Sequence, residues 1–407
     1  MERPPGYVAL PKPGVILGVV AGLTSLCFCS ASEAQEWKLD TGLTQQVLYG
    51  DNLLLGRESE ISDFASVTTP ALRLQRTSPT FDFSLDGQFE FSEYLDHTDF
   101  NSQDQSLRLK TSKALTDRSS LGVSGSFIRD TNLTSDMDET GKFVDEPVHY
   151  TSWDVHPSWT YLLSPVDQVV LGGLYRSVTY DGSEKTDYRY FGSTVDYGHK
   201  LSEVDRLTAN FSYFHFDPDS TNDQASDTLS ALAGYAYAPS ERLAVSGSVG
   251  LGYSLEDQGA TDTNNDGGLG YRLKFNAKYQ LADQTALKMS LSHDAEPSSD
   301  GEQVTRNRAT FGLNHQLTPY TAFALDVDYV DNYDYAGLES DTRSDNSESR
   351  YASVRPSPSW LLTEELSLIA EYRYRYKLYE DGGDAATSNT VFLSVKYALP
   401  TWGWDGF

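Results

Sequence analysis

Phe81-Asp82-Phe83-Ser84-Leu85-Asp86-Gly87-Gln88-Phe89-Glu90-Phe91-Ser92 sets an apolar residue or glycine against a polar one six times in succession. Successive side chains of an extended chain point to opposite faces, so this stretch reads as a β-strand with one apolar and one wet side. A tight polar turn, Thr77-Ser78-Pro79-Thr80, precedes it. The same punctuation returns at Thr116-Asp117-Arg118-Ser119, Ser164-Pro165-Val166-Asp167, Ser202-Glu203-Val204-Asp205 and Pro239-Ser240-Glu241-Arg242. It continues at Ala282-Asp283-Gln284-Thr285, Thr318-Pro319-Tyr320-Thr321 and Thr363-Glu364-Glu365. The turns recur roughly every 40 residues, room for two strands of about 10 to 15 residues and one longer loop.

Other stretches keep the alternation. Leu243, Val245, Val249, Leu251 and Tyr253 oppose Ser246, Ser248, Gly250, Gly252 and Ser254. Tyr271, Leu273, Phe275, Ala277 and Tyr279 oppose Arg272, Lys274, Asn276 and Lys278. Leu366, Leu368, Ala370, Tyr372, Tyr374 and Tyr376 oppose Glu371, Arg373, Arg375 and Lys377. A soluble sandwich also alternates, but here arginine and lysine share the polar face while the other face is apolar almost throughout. Aromatics gather at the strand ends: Trp159, Tyr161, Tyr279, Trp360 and Tyr397 toward the turns, and Tyr94, Tyr175, Tyr253, Tyr329 and Tyr376 toward the loops. Such girdles suit the headgroup level of a bilayer.

Two segments between successive turns, with two before the first and two after the last, make 18. The expected fold is all-β, a single antiparallel transmembrane β-barrel of about 18 strands with short periplasmic turns and long acidic extracellular loops. An even count returns both termini to the periplasm. Pro70, Pro157, Pro356 and Pro358 fall inside alternating segments and lack a ladder donor, so bulges or fewer paired residues are expected there. The connection from Leu133 to Tyr150 is long enough to fold inward or carry short structure of its own.

Composition agrees. Among 407 residues there are 26 Tyr and 18 Phe but 3 Met, an aromatic bias that suits pleated surfaces. Mean hydropathy is −0.46, which a barrel tolerates because only every second strand residue meets lipid. The formal charge of −28 excludes nucleic acid as a natural partner. The acid concentrates in connections such as Asp136 to Glu146, Asp217 to Asp227, Asp331 to Glu348 and Glu380 to Asp384.

Residues 1–34 read as a secretory signal: Arg3 and Lys12, an apolar run from Val15 to Phe28, then Ser32-Glu33-Ala34. The run is short for a membrane helix and is interrupted by Gly18, Gly22, Thr24 and Ser25. Both cysteines, Cys27 and Cys29, lie inside it, so disulfides and thiol chemistry are not expected in the mature chain. Residues 35–399 are expected to form the barrel and 400–407 a short tail. The assembly signal read by the barrel-assembly machinery is then Val391, Leu393, Val395 and Tyr397, or Phe407 itself.

No catalytic motif, cofactor fingerprint or metal constellation emerges, and an enzyme is not expected. The seven histidines are scattered, with His97 beside Asp96 and Asp99 the nearest approach to an acid–base cluster. Asp262-Thr263-Asn264-Asn265-Asp266-Gly267 matches half a calcium loop, but Leu273 stands where the bidentate glutamate belongs, so an Asx-rich turn is expected. The candidate functional surface is the inner face. On its basic side it offers Arg73, Arg108, Lys110, Arg272, Lys274, Lys278, Lys288, Arg373, Arg375 and Lys377. On its acidic side it offers Asp82, Asp86, Glu90, Asp326, Asp328 and Glu371. Stripes of opposite sign on different strands set a transverse field and tune selectivity, or else pair across strands and hold a wet lumen together. On the first view, reversing Arg373 and Arg375 shifts selectivity.

Tyr49-Gly50-Asp51-Asn52-Leu53 resembles the Tyr-x-Asp-Asn-aliphatic opening of β-barrel porins found with exopolysaccharide export systems. Leu72-Arg73-Leu74, the Ser-Pro turn and the aromatic strand after it continue the likeness. The resemblance implies an outer-membrane conduit for a secreted polysaccharide. Its partners would be outer-membrane lipid, lipopolysaccharide and periplasmic polysaccharide export components. A general or sugar-acid diffusion porin and a non-conducting scaffold barrel are the alternatives.

Overall fold

The computed structural model describes residues 36–405, apart from 58–59, 132–147, 182–184, 220–224, 257–267, 298–302, 335–348 and 379–384. Eighteen long strands follow one another. The first six are β1 (Glu36–Gly50), β2 (Asp63–Thr77), β3 (Phe81–Tyr94), β4 (Ser102–Thr116), β5 (Ser119–Thr131) and β6 (His149–Leu162). Next come β7 (Asp167–Tyr180), β8 (Tyr188–Lys200), β9 (Asp205–Pro218), β10 (Ser226–Ser240), β11 (Leu243–Glu256) and β12 (Gly268–Ala282). The last six are β13 (Thr285–Pro297), β14 (Gln303–Thr318), β15 (Thr321–Asp334), β16 (Ser349–Leu361), β17 (Leu366–Leu378) and β18 (Ala386–Ala398). Each pairs antiparallel with the next, and β18 closes on β1 from Gly42↔Ala398 to Gly50↔Thr390. Closure removes every long edge, which is how a sheet satisfies its backbone in a bilayer.

All eight tight turns expected from sequence fall at one rim, at the even-to-odd junctions. Their chemistry is local. Ser164 Oγ accepts from the backbone N–H of Val166 and Asp167 at 3.2 and 3.0 Å, and Ser202 Oγ does the same for Val204 and Asp205 at 3.1 Å each. Thr363 Oγ1 repeats the pattern with Glu365 and Leu366. The hydroxyl thus replaces the backbone acceptor that the turn removes.

The prolines are accommodated by omission. Pro70 stays in register with Leu43 of β1, but the β2–β3 ladder skips from Thr68↔Phe91 to Ala71↔Gln88. Pro157 opposes Val123, and the β6–β7 ladder skips from Val155↔Tyr175 to Ser158↔Gly172. Between β16 and β17 the gap runs from Val354↔Tyr374 to Ser359↔Ile369. No register slips at these gaps, because the missing donor affects one neighbour only.

One row of the register shows what the barrel faces. Leu121, Trp159, Leu171, Val195, Phe211, Ala231, Leu251 and Tyr271 are successive partners across β5 to β12, and all are exposed. A continuous apolar belt of this kind is far larger than water tolerates on a monomer and matches the lipid-facing band of a transmembrane barrel. Trp159, Tyr279, Trp360 and Tyr397 lie exposed toward the turn rim, and Tyr175, Tyr253, Tyr329 and Tyr376 toward the loop rim. Tyr94 departs from the expected girdle. It shares the inward parity of Ser92 and packs edge-on against Phe100, with centroids 5.8 Å apart.

Residues after β18 do more than trail. A short β19 (Trp402–Asp405) pairs with Glu36 to Leu39 of β1, the part of β1 that lies beyond the reach of β18. Trp404 stacks on Trp37 at 6.3 Å, and the Arg76 guanidinium lies 5.2 Å from the Trp37 ring.

Candidate functional site

The lumen has two unlike walls. On the side of β1, β2, β17 and β18, the chain leaving β1 turns inward, and Asn52, Leu53, Leu54 and Leu55 are almost wholly buried. Leu53 and Leu54 join Leu48, Ala65, Val67, Phe100 and Phe392 in the largest apolar cluster among the described residues. Polar contacts seat the wedge. Arg375 donates from Nη2 to the Leu53 carbonyl at 3.0 Å and to Ser388 Oγ at 3.1 Å. Asp51 accepts from the Asn389 N–H and Nδ2, both at 2.7 Å, while Asn52 bonds Gly56 and the Thr387 carbonyl. Gly50 gives the wedge room, because a Cβ there would lie 2.6 Å from Leu53 Cδ2 and displace that side chain. Leu55 takes a φ of 52°, a left-handed turn that points the wedge back to the wall.

Across the barrel, inward residues of β5–β10 and β12–β14 enclose a cavity of about 550 Å³. Arg176, Arg272, Lys274, Arg306 and Arg308 line it, against Asp154, Asp294 and Glu296. Asp294 meets both Arg272 and, at 2.9 Å, Lys274. Glu296 pairs with Arg306 Nη1, and Arg306 Nε donates to Asn332 Oδ1 at 2.8 Å. Asp154 accepts from Ser126 Oγ at 2.6 Å and lies 3.3 Å from His156. The opposite side of the cavity is aromatic: Tyr150, Tyr180, Tyr188, Tyr190 and Phe214. Five cations against three carboxylates make this a positive space, within a chain whose formal charge is −28. Low-dielectric walls focus that charge.

The register places every charged residue singled out from sequence on the face opposite the apolar belt, but their surroundings differ. On β2 to β4, Arg73 pairs with Asp86, and Asp86 also accepts from Ser84 and opposes Arg108. Asp82, Glu90 and Lys110 share this wall. Lys278 and Lys288 oppose each other on β12 and β13. Lys278 also lines, with Lys200 and Arg206, a second space of about 880 Å³ at the turn rim. Asp328 holds Arg355 at 2.7 Å and lies 4.0 Å from Arg308, while Asp326 opposes Arg355 in register. Arg373 pairs with Glu371 at 3.1 Å and lies 4.8 Å from the Phe392 ring.

Arg375 and Lys377 need correction. They share the parity of Arg373, yet are 1% and 3% exposed. Arg375 lies under the wedge and binds its backbone, so it does not present charge to a solute. Of the predicted cations, only Arg272 and Lys274 line the cavity on β5–β10 and β12–β14. Arg176, Arg306 and Arg308 complete it and were not singled out from sequence, although Arg306 and Arg308 repeat the Arg-x-Arg spacing of Arg373 and Arg375.

The histidines stay dispersed. Four of them meet a carboxylate or amide of another strand: His97 with Asp63 at 3.2 Å rather than Asp96 or Asp99, His199 with Asp167 at 2.8 Å, His215 with Asp227 at 2.9 Å and His293 with Asn307 at 2.7 Å. The Asp262–Gly267 turn, the 132–147 part of the longest connection, the leader and Phe407 lie outside the described residues.

Fold and lumen together define a closed 18-stranded β-barrel of the membrane-spanning type, with an internal wedge and a cationic, tyrosine-walled cavity. The sequence model of a family described as "Protein of unknown function, DUF481" matches residues 167–350, under half of the chain. No curated protein matches. Among solved structures, the chain is similar to OccAB3 of Acinetobacter baumannii, at 11% identity over 90% of this chain and 99% of that one, with a TM-score of 0.43. It is also similar to the outer membrane protein OpdK of Pseudomonas aeruginosa, at 12% identity over 90% and 99%, with a TM-score of 0.46. A third is OccK2 (OpdF) of P. aeruginosa in complex with glucuronate, at 11% identity over 89% and 98%, with a TM-score of 0.44.

Proposed function

We propose that the protein is an outer-membrane channel that favours negatively charged polar solutes. The observation that carries this is the cavity on β5–β10 and β12–β14, where Arg176, Arg272, Lys274, Arg306 and Arg308 outnumber the carboxylates. A chain this acidic has abundant carboxylate with which to line its lumen, yet this cavity is positive. Fixed charge in a narrow, low-dielectric passage sets which ions enter. In this reading the leader 1–34 is removed and the barrel-assembly machinery inserts the chain. The short turns then face the periplasm, and lipid and lipopolysaccharide surround the apolar belt.

The test is the reversal potential of single channels in a KCl gradient. Chloride preference is expected, and Arg176→Gln with Arg306→Gln lowers it. Cation preference in the unaltered protein overturns the proposal, and absence of conductance moves the barrel to a scaffold role.

Export of an exopolysaccharide is the second reading. It is favoured by the likeness at Tyr49 to Leu53, because those residues run into the wedge that narrows the lumen. It requires periplasmic polysaccharide export components, and its mark is a secretion defect on deletion.

A further inference from the structure

We infer that the cationic cavity seats a pyranose ring bearing a carboxylate, its face on Tyr190 and Phe214 and its carboxylate on Arg306 and Arg176. This rests on the anion-channel reading and adds chemistry that reading does not need. A wall that passes small anions requires charge and water, and the broad apolar faces of aromatic rings serve neither. Here β6 to β9 in succession place rings on the inward parity around one cavity. Tyr190 and Phe214 are stacked, with centroids 5.1 Å apart and planes 15° from parallel. Tyr150 and Tyr180 lie 6.0 Å apart beside them.

The face of a pyranose is a patch of C–H bonds with small positive charge, and an aromatic face carries negative quadrupole density, so the two stack. Hydroxyls at the sugar edge suit phenol and carboxylate partners. The basic side supplies the rest. Arg306 is 5% exposed, and after Glu296 and Asn332 are served its Nη2 still has no acceptor; Arg176 Nε is in the same state. Guanidinium groups with donors to spare are carboxylate receptors. At about 550 Å³ the cavity falls within the roughly 300–1,000 Å³ typical of small-molecule sites. A free sugar acid and one residue of an acidic polysaccharide present the same chemistry to it.

The experiment is block of single-channel current by galacturonate, galactose and acetate, each alone. Galacturonate is expected to block at about tenfold lower concentration than either of the others, a difference of about 1.4 kcal/mol. Tyr190→Phe keeps the block and Tyr190→Leu weakens it. Retained open-channel conductance shows that the Leu variant is folded. Equal block by galacturonate and acetate, unchanged in Tyr190→Leu, overturns the sugar seat and leaves the anion channel standing. Loss of chloride preference in the unaltered protein overturns the anion channel itself. Block by oligogalacturonide as well as monomer marks a passing chain as the source, and block by monomer alone marks a free sugar acid.

Discussion

Arg375 Nη2 donates to the carbonyl oxygen of Leu53 at 3.0 Å, tying β17 to a segment that follows β1 by only a few residues. The donor is an ionised guanidinium, so the bond is charge-assisted, and its burial shields it from competing water. Arg375→Met removes it together with the bond to Ser388, at a cost of roughly 2 kcal/mol. Unseating the wedge widens the lumen, so single-channel conductance rises, while chloride preference, set on the far wall, persists. Leu53→Ser with Leu54→Ser empties the apolar cluster and acts in the same direction. Unchanged conductance in both variants shows that the wedge does not limit flow. Arg375→Glu is expected to read as a folding and conductance defect before any change of selectivity.

Gly252 on β11 leaves room for Arg272. A Cβ there would lie 2.1 Å from Arg272 Nε, and the side chain it would strike is 5% exposed with little room to yield. Gly252→Val therefore displaces the guanidinium from Asp294, at a cost of about 1–3 kcal/mol from overpacking. Asp294 then keeps Lys274 and the Ala295 N–H. Chloride preference should fall, with Gly252→Ala intermediate. A Val variant with the original reversal potential would show that Arg272 contributes no field to the passage.

The contrast between Arg373 and Arg375 shows how far the sequence reached. A period of two states which face a residue takes, and both arginines do share one face. It cannot state whether a distant segment folds over that face, and the wedge covers one and not the other. The turns were legible for the opposite reason: Ser164, Ser202 and Thr363 satisfy their turns with atoms two or three residues away. The cavity joins inward residues from nine strands, and its aromatic and basic sides meet only after closure, so no window of sequence contains it. Tyr94 misled because a tyrosine near a strand end suits the membrane interface and an internal cluster equally well.

If the cavity charge governs entry through water, salt must weaken it. The screening length falls from about 10 Å at 0.1 M to about 3 Å at 1 M. The chloride-to-potassium permeability ratio should therefore decline toward unity over that range, most steeply in the unaltered protein and least in the Arg176→Gln, Arg306→Gln variant. A ratio independent of salt would point to direct ion binding rather than a field.

Trp404 on β19 covers the part of β1 that β18 does not reach. Its stack on Trp37, a ring that the Arg76 guanidinium also contacts, ties β19 to the start of β1 at the turn rim. Truncation after Leu399 removes four ladder partners of β1 as well as the stack, the latter worth about 1 kcal/mol. The barrel from Gly42 onward keeps β18 as its neighbour and should still close. The expected phenotype is narrow: proteolysis near Trp37 becomes faster, while conductance and ion preference stay as before. Trp404→Ala should give part of the effect and Trp404→Phe almost none, because a ring can still stack there. Unaltered proteolysis in the truncated protein would mean that β2 alone suffices to hold Trp37 to Leu39.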